Sequence, residues 1–126
     1  MHARLKSLHS PDVLDLPGWS PEDEAVFGFL LQAMIGPTDG DGAESFNILV
    51  CSPGWLAREM SDTGIRSGEH TLLMSRYDHH LLLRYLERRV QMCEAPTWRE
   101  LARQLGGIGL WEFDGYHPAS NTSAHG

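Results

Sequence analysis

Apolar and polar side chains alternate over Ala3–Leu8, with Ala3, Leu5 and Ser7 on one side and Arg4, Lys6 and Leu8 on the other. The pattern predicts a short strand at a sheet edge, where Arg4 and Lys6 discourage pairing with another chain. Ser10-Pro11-Asp12 ends it, and Val13–Glu24 reads as a loop. Inside that loop, Ser20 followed by Pro21, Glu22 and Asp23 has the chemistry of a helix start. At most one helical turn is expected, because Val26-Phe27-Gly28-Phe29 returns to strand character. Val26–Ile35 holds residues that suit a helix, but Gly28 is costly in a helix interior and Gly36-Pro37 closes the run sharply, so a strand is favoured. Thr38-Asp39-Gly40-Asp41-Gly42 then supplies the Asp-Gly pairs of a hairpin turn, and Ser45–Cys51 is the returning strand.

Past Cys51 the period changes. Ser52 as cap and Pro53 at the first helical position open a helix whose buried stripe is Trp55, Leu56 and Met60, ending at Gly64. Glu69–Tyr77 reads as a further strand. Asp78 caps a long helix to about Cys93, with Leu82, Tyr85, Leu86 and Val90 at helical spacing. Pro96 breaks it, and Thr97-Trp98-Arg99-Glu100 is a capping box that opens another helix to about Leu105. Gly106-Gly107-Ile108-Gly109 stops that helix, and Leu110–Phe113 is a last extended piece. The predicted fold class is α+β: an antiparallel sheet of about four strands with three helices packed mainly on one face. It forms a single domain over 1–115, followed by a flexible, small and polar C-terminal tail over 116–126.

Composition agrees with one globular domain: 126 residues, 41% hydrophobic and 21% charged. Charge alters the picture more. The net charge is −7, and no Lys or Arg occurs from Ser7 to Ala57, a stretch that holds Asp12, Asp15, Glu22, Asp23, Glu24, Asp39, Asp41 and Glu44. Such a field disfavours nucleic acid and anionic membranes and speeds encounter with cationic partners. Two cysteines, Cys51 and Cys93, are too few for a disulfide framework and suit buried thiols in a reducing compartment. The start of the chain lacks the apolar core of a signal peptide, and no apolar run approaches the roughly 20 residues that cross a bilayer. A cytoplasmic location is expected.

Six stretches carry a resemblance: Ser10–Asp12 (SPD), Phe27–Pro37 (FGFLLQAMIGP), Gly42–Phe46 (GAESF), Val50–Leu56 (VCSPGWL), Thr97–Leu101 (TWREL) and Trp111–Phe113 (WEF). Together they resemble the bacterial immunity protein 8 family, over about Ala3 to Tyr116. The resemblance implies an antidote that binds and blocks the toxic domain of an effector from a polymorphic or contact-dependent toxin system. It brings no catalytic residues with it, and no enzymatic activity is expected.

The candidate binding residues are Trp19, Glu22, Asp23 and Glu24 ahead of the second strand, with Asp39, Asp41 and Glu44 at the hairpin. The carboxylates would meet the Lys and Arg of a toxin's basic surface, a nuclease being one such toxin, since nucleases hold phosphate with basic groups; the plainer reading is a solvated surface. Trp19 is either an exposed anchor or a packing residue. Trp55, Trp98 and Trp111 read as packing residues. His79-His80, about 100° apart on a helix, cannot readily share an ion, so no metal, cofactor or catalytic residue is expected. The rival reading is a small ligand-binding or enzymatic domain with a cleft between sheet and helices.

Overall fold

The computed structural model describes residues 1–113; the expected tail over 116–126, and the domain limit at 115, lie outside the described residues. The chain runs β1 (Ala3–His9), β2 (Gly28–Pro37), β3 (Glu44–Cys51), α1 (Pro53–Glu59), β4 (Thr71–Leu73), α2 (His79–Gln91), α3 (Trp98–Leu105) and β5 (Leu110–Trp111). The strands form one sheet in the order β1-β2-β3-β4, with β5 also paired to β3. The fold is α+β, as the pattern of elements predicts.

The ten residues of β2 alternate because its two faces meet different neighbours. Phe29, Leu31, Ala33 and Ile35 are buried, while Leu30, Gln32 and Met34 are half-exposed. Pairing with β3 sets Phe29 opposite Val50, Leu31 opposite Ile48 and Ala33 opposite Phe46, so both inner rows join one core. Leu82, Leu86 and Val90 of α2, with Leu101, Ala102 and Leu105 of α3, close that core from the same side. In β1 the pairing register shifts between Leu5 and Ser7, a bulge at Lys6 that interrupts this outer strand.

Three expectations change. The segment Glu69–Tyr77 is strand only over Thr71–Leu73, because His70 turns the backbone through φ 53° immediately before it. That short strand runs parallel to β3, so the sheet is mixed rather than wholly antiparallel. The parallel pairing follows from the connection: α1 and the chain after it carry the polypeptide back to the start of the next strand. Finally, α1 ends at Glu59 rather than Gly64, Trp55 and Leu56 within it and Met60 just past it are only half-buried, and no residue of α1 is fully buried. The reason is position. A Cβ on Gly28 would come within 2.4 Å of the Trp55 ring, and Gly28 shares the face of Leu30 and Gln32, opposite the core. Trp55 thus lies over the far face of the sheet, where α1 alone covers one corner.

The helix starts form as their sequences dictate. Ser52, Asp78 and Thr97 each adopt extended backbone and accept a hydrogen bond from the third residue on: Trp55 N, Leu81 N and Glu100 N, at 3.2, 3.1 and 3.3 Å. The loop before β2 contains no helix; Val26 N donates to Asp23 O, a single turn.

Candidate functional site

The acidic residues that stand together in sequence separate in space. Glu22, Asp23 and Glu24 precede the Gly28 end of β2, whereas Asp39 and Asp41 lie in the turn beyond Pro37. Nine residue steps of strand hold the two groups on the order of 30 Å apart. All five are exposed. Among the described residues the ion pairs are His2–Glu94 at 3.7 Å and Arg66–Glu59 at 4.0 Å, so none of the five is neutralised by a direct partner.

The two ends differ in what surrounds them. At the hairpin end the Lys6 ammonium donates to the carbonyl of Gly40, the residue between Asp39 and Asp41, which places a base against their turn. At the Gly28 end the loop from Ser10 onward adds more acid. Asp12 Oδ2 accepts from Leu30 N at 2.8 Å, which fixes the loop to β2, and Asp15 Oδ1 accepts from Gly18 N at 3.4 Å. Asp23 Oδ1 accepts from Ala25 N at 2.8 Å. These bonds shape the loop, and its carboxylates stay exposed at the surface. Val13 and Leu16, both buried, pin the loop to the core, and Leu14 between them is fully exposed.

Trp19 does not project from this loop. Its ring is half-buried and meets Phe29 at 5.2 Å and Tyr77 at 5.0 Å, both edge-on, with Phe27 at 6.2 Å. The cluster anchors the acidic loop to the sheet. Tyr77 completes it by donating its hydroxyl to Leu16 O at 2.5 Å. Burial, then the charges of Asp15 and Asp78, push the Tyr77 hydroxyl up to about 12.

Glu44 faces inward. Its Oε1 accepts from both indole nitrogens, Trp98 at 2.9 Å and Trp111 at 2.7 Å, which ties β3 to α3 and β5. The sequence places Trp98 and Trp111 as packing residues, which they are, but it gives no sign that a candidate binding carboxylate is what joins them.

A cleft of about 380 Å³ opens between β4, α2 and the turn after α3, lined by Glu69, His70, Thr71, Tyr85, Arg89 and Gly106 among others. The His70 ring bonds through Nε2 to Gly106 O at 3.0 Å. Thr71 Oγ1 donates to Glu69 O, and the Tyr85 hydroxyl accepts from Arg89, so the hydroxyls beside His70 are engaged elsewhere. Burial raises the thiols of Cys51 and Cys93 above the usual range, offset in part by Arg66 and Arg89 respectively. Such thiols are poor nucleophiles. Among the described residues no three His, Cys, Asp or Glu side chains stand close enough to share a metal ion, and no helix is long and apolar enough to cross a membrane.

Comparison with known proteins adds one positive finding. The family model described as Immunity protein 8 matches residues 3–116, nearly the whole domain, and the chain belongs to that family. Neither a curated protein nor a solved structure matches it.

Proposed function

We propose that this member of the immunity protein 8 family neutralises a cognate bacterial toxin domain in the cytoplasm by stoichiometric binding, without catalysis. We further assign the contact to the acidic N-terminal half, led by Glu22, Asp23 and Glu24 with Asp12 and Asp15 beside them. The observation that carries this reading is the grouping of exposed, unpaired carboxylates on a loop held rigid by the Trp19–Phe29–Tyr77 cluster. A rigid, one-sign surface presents its charge without ordering cost on binding, and it favours a partner whose own surface is basic. A toxin that handles phosphate, such as a nuclease, has that character. Asp39 and Asp41 form a second, smaller acidic site about one strand length away. Glu44, spent on two indoles, acts on the partner through its charge alone.

Co-expression tests the reading. Bacteria producing the toxin domain should survive with the wild-type protein. They should fail to grow, or grow far more slowly, with the variant Glu22→Gln, Asp23→Asn, Glu24→Gln. Survival indistinguishable from wild type would reject the Gly28-end contact. Failure of the wild-type protein itself to protect would reject the pairing.

A further inference from the structure

The exposed face of α2 has a composition unlike the rest of the surface. Leu81 and Tyr85, 59% and 41% exposed, lie one turn apart, and Leu73 of β4, 51% exposed, lies across a groove from them. Two adjoining hollows of about 410 and 360 Å³ share Leu81 and Tyr85. The second is rimmed by His80, Arg84 and Arg88. Its one carboxylate, Asp78, accepts from Leu81 N as the helix cap. Tyrosine and arginine are enriched at interface centres, and here they stand around an apolar recess. The groove therefore selects an apolar side chain flanked by carboxylates.

One such element is present in the chain itself. Leu14 is fully exposed, with Asp12 and Asp15 on either side and both exposed. It is held out by Val13 and Leu16, whose side chains are buried. The Leu14 loop and the groove also share one end of the molecule. Leu16 O accepts from Tyr77, and Tyr77 immediately precedes the Asp78 that caps α2. A loop and a groove at one end of the molecule, each complementary to the other, can meet in a two-fold contact in which each loop seats in the other copy's groove.

We propose that the groove between Leu73 and the Leu81–Tyr85 face of α2 receives the Asp12–Asp15 loop of a second copy of this chain, forming a symmetric dimer. With one loop and one groove on each side the dimer is weak, dissociating on the order of 100 µM. It draws on both leucine burial and Asp–Arg attraction, so added salt weakens it.

The test is sedimentation velocity on the full chain from about 1 µM to about 1 mM, at low and high salt. The expected result is a concentration-dependent shift from monomer to dimer, reduced by salt. Leu14→Ser, at a solvent-exposed position, and the pair Arg84→Glu with Arg88→Glu should each weaken dimerisation about tenfold or more while leaving the circular dichroism spectrum unchanged. Mixed together, the two variants regain one intact contact of the two, the Arg-substituted copy's loop in the Leu14→Ser copy's groove, so the mixture should still dimerise more weakly than the wild type. A chain that stays monomeric at about 1 mM would overturn the proposal, as would a dimer unaffected by either variant.

Discussion

Glu44 and Tyr77 show how much a single side chain's meaning depends on partners far along the chain. Glu44 reads in sequence as one more acid of a hairpin, yet it accepts two indole N–H groups from residues 54 and 67 positions away. Glu44→Ala should cost about 2 kcal/mol or more, because two partly buried indole donors lose a charged acceptor. Glu44→Gln, which keeps an acceptor oxygen, should cost less; denaturant melts of the two variants compare them directly. Tyr77 makes a similar long-range bond to Leu16 O, and its raised ionisation has a consequence for stability. Its hydroxyl ionises near 10 in the unfolded chain and at about 12 when folded. The folded state thus holds the extra proton between those values, and stability should fall as pH rises through that window. Tyr77→Phe should remove this alkaline loss, lower stability at neutral pH by about 1 kcal/mol, and delete a step near 12 from the tyrosinate absorbance titration.

Among the elements, local chemistry settled the ends and long-range pairing settled the rest. Ser52, Asp78 and Thr97 are caps by residue type and neighbours, and the structure uses each in that role. The alternation of β2 and the period of α2 likewise made Phe29, Leu31, Leu82, Leu86 and Val90 legible as core positions. The strand expected over 69–77 stops at Leu73 because the backbone bends there while the alternation continues, and neither residue type nor period reveals the bend. The direction of β4 depends on the crossover through α1, and periodicity carries no information about strand direction. Ser52 does more than cap. Fully buried, it accepts from Phe27 N at 3.1 Å and donates to Ala25 O at 2.8 Å, which locks α1 to the entrance of β2. Ser52→Ala should therefore cost more than an ordinary cap, about 2–3 kcal/mol, read as a lowered unfolding midpoint. Gly28→Ala should also destabilise, since the added methyl meets the Trp55 ring; near-ultraviolet circular dichroism should report a displaced indole.

At the scale of the whole molecule, charge is segregated. The sequence alone shows an acidic first half, because the absence of Lys and Arg from Ser7 to Ala57 needs no structure to count. It could not show that this half presents two acidic ends separated by the length of β2, nor that Leu14 stands among the acids of one end, because both depend on how strand register places loops. The Gly28 end combines Asp12, Asp15, Glu22, Asp23 and Glu24 on one anchored loop, whereas the hairpin end shares its space with Lys6. If the first end makes the contact, neutralising it should slow association about tenfold or more and flatten the dependence on salt, while the same change at Asp39 and Asp41 should do less. The most direct measurement is calorimetric titration of this protein with a candidate cognate toxin domain, at two salt concentrations, for wild type and the Glu22→Gln, Asp23→Asn, Glu24→Gln variant. The account predicts tight binding of one protein per toxin domain that weakens with salt in the wild type and weakens less with salt in the variant. Absence of binding, or tight binding with the same affinity and salt dependence in both proteins, would contradict it.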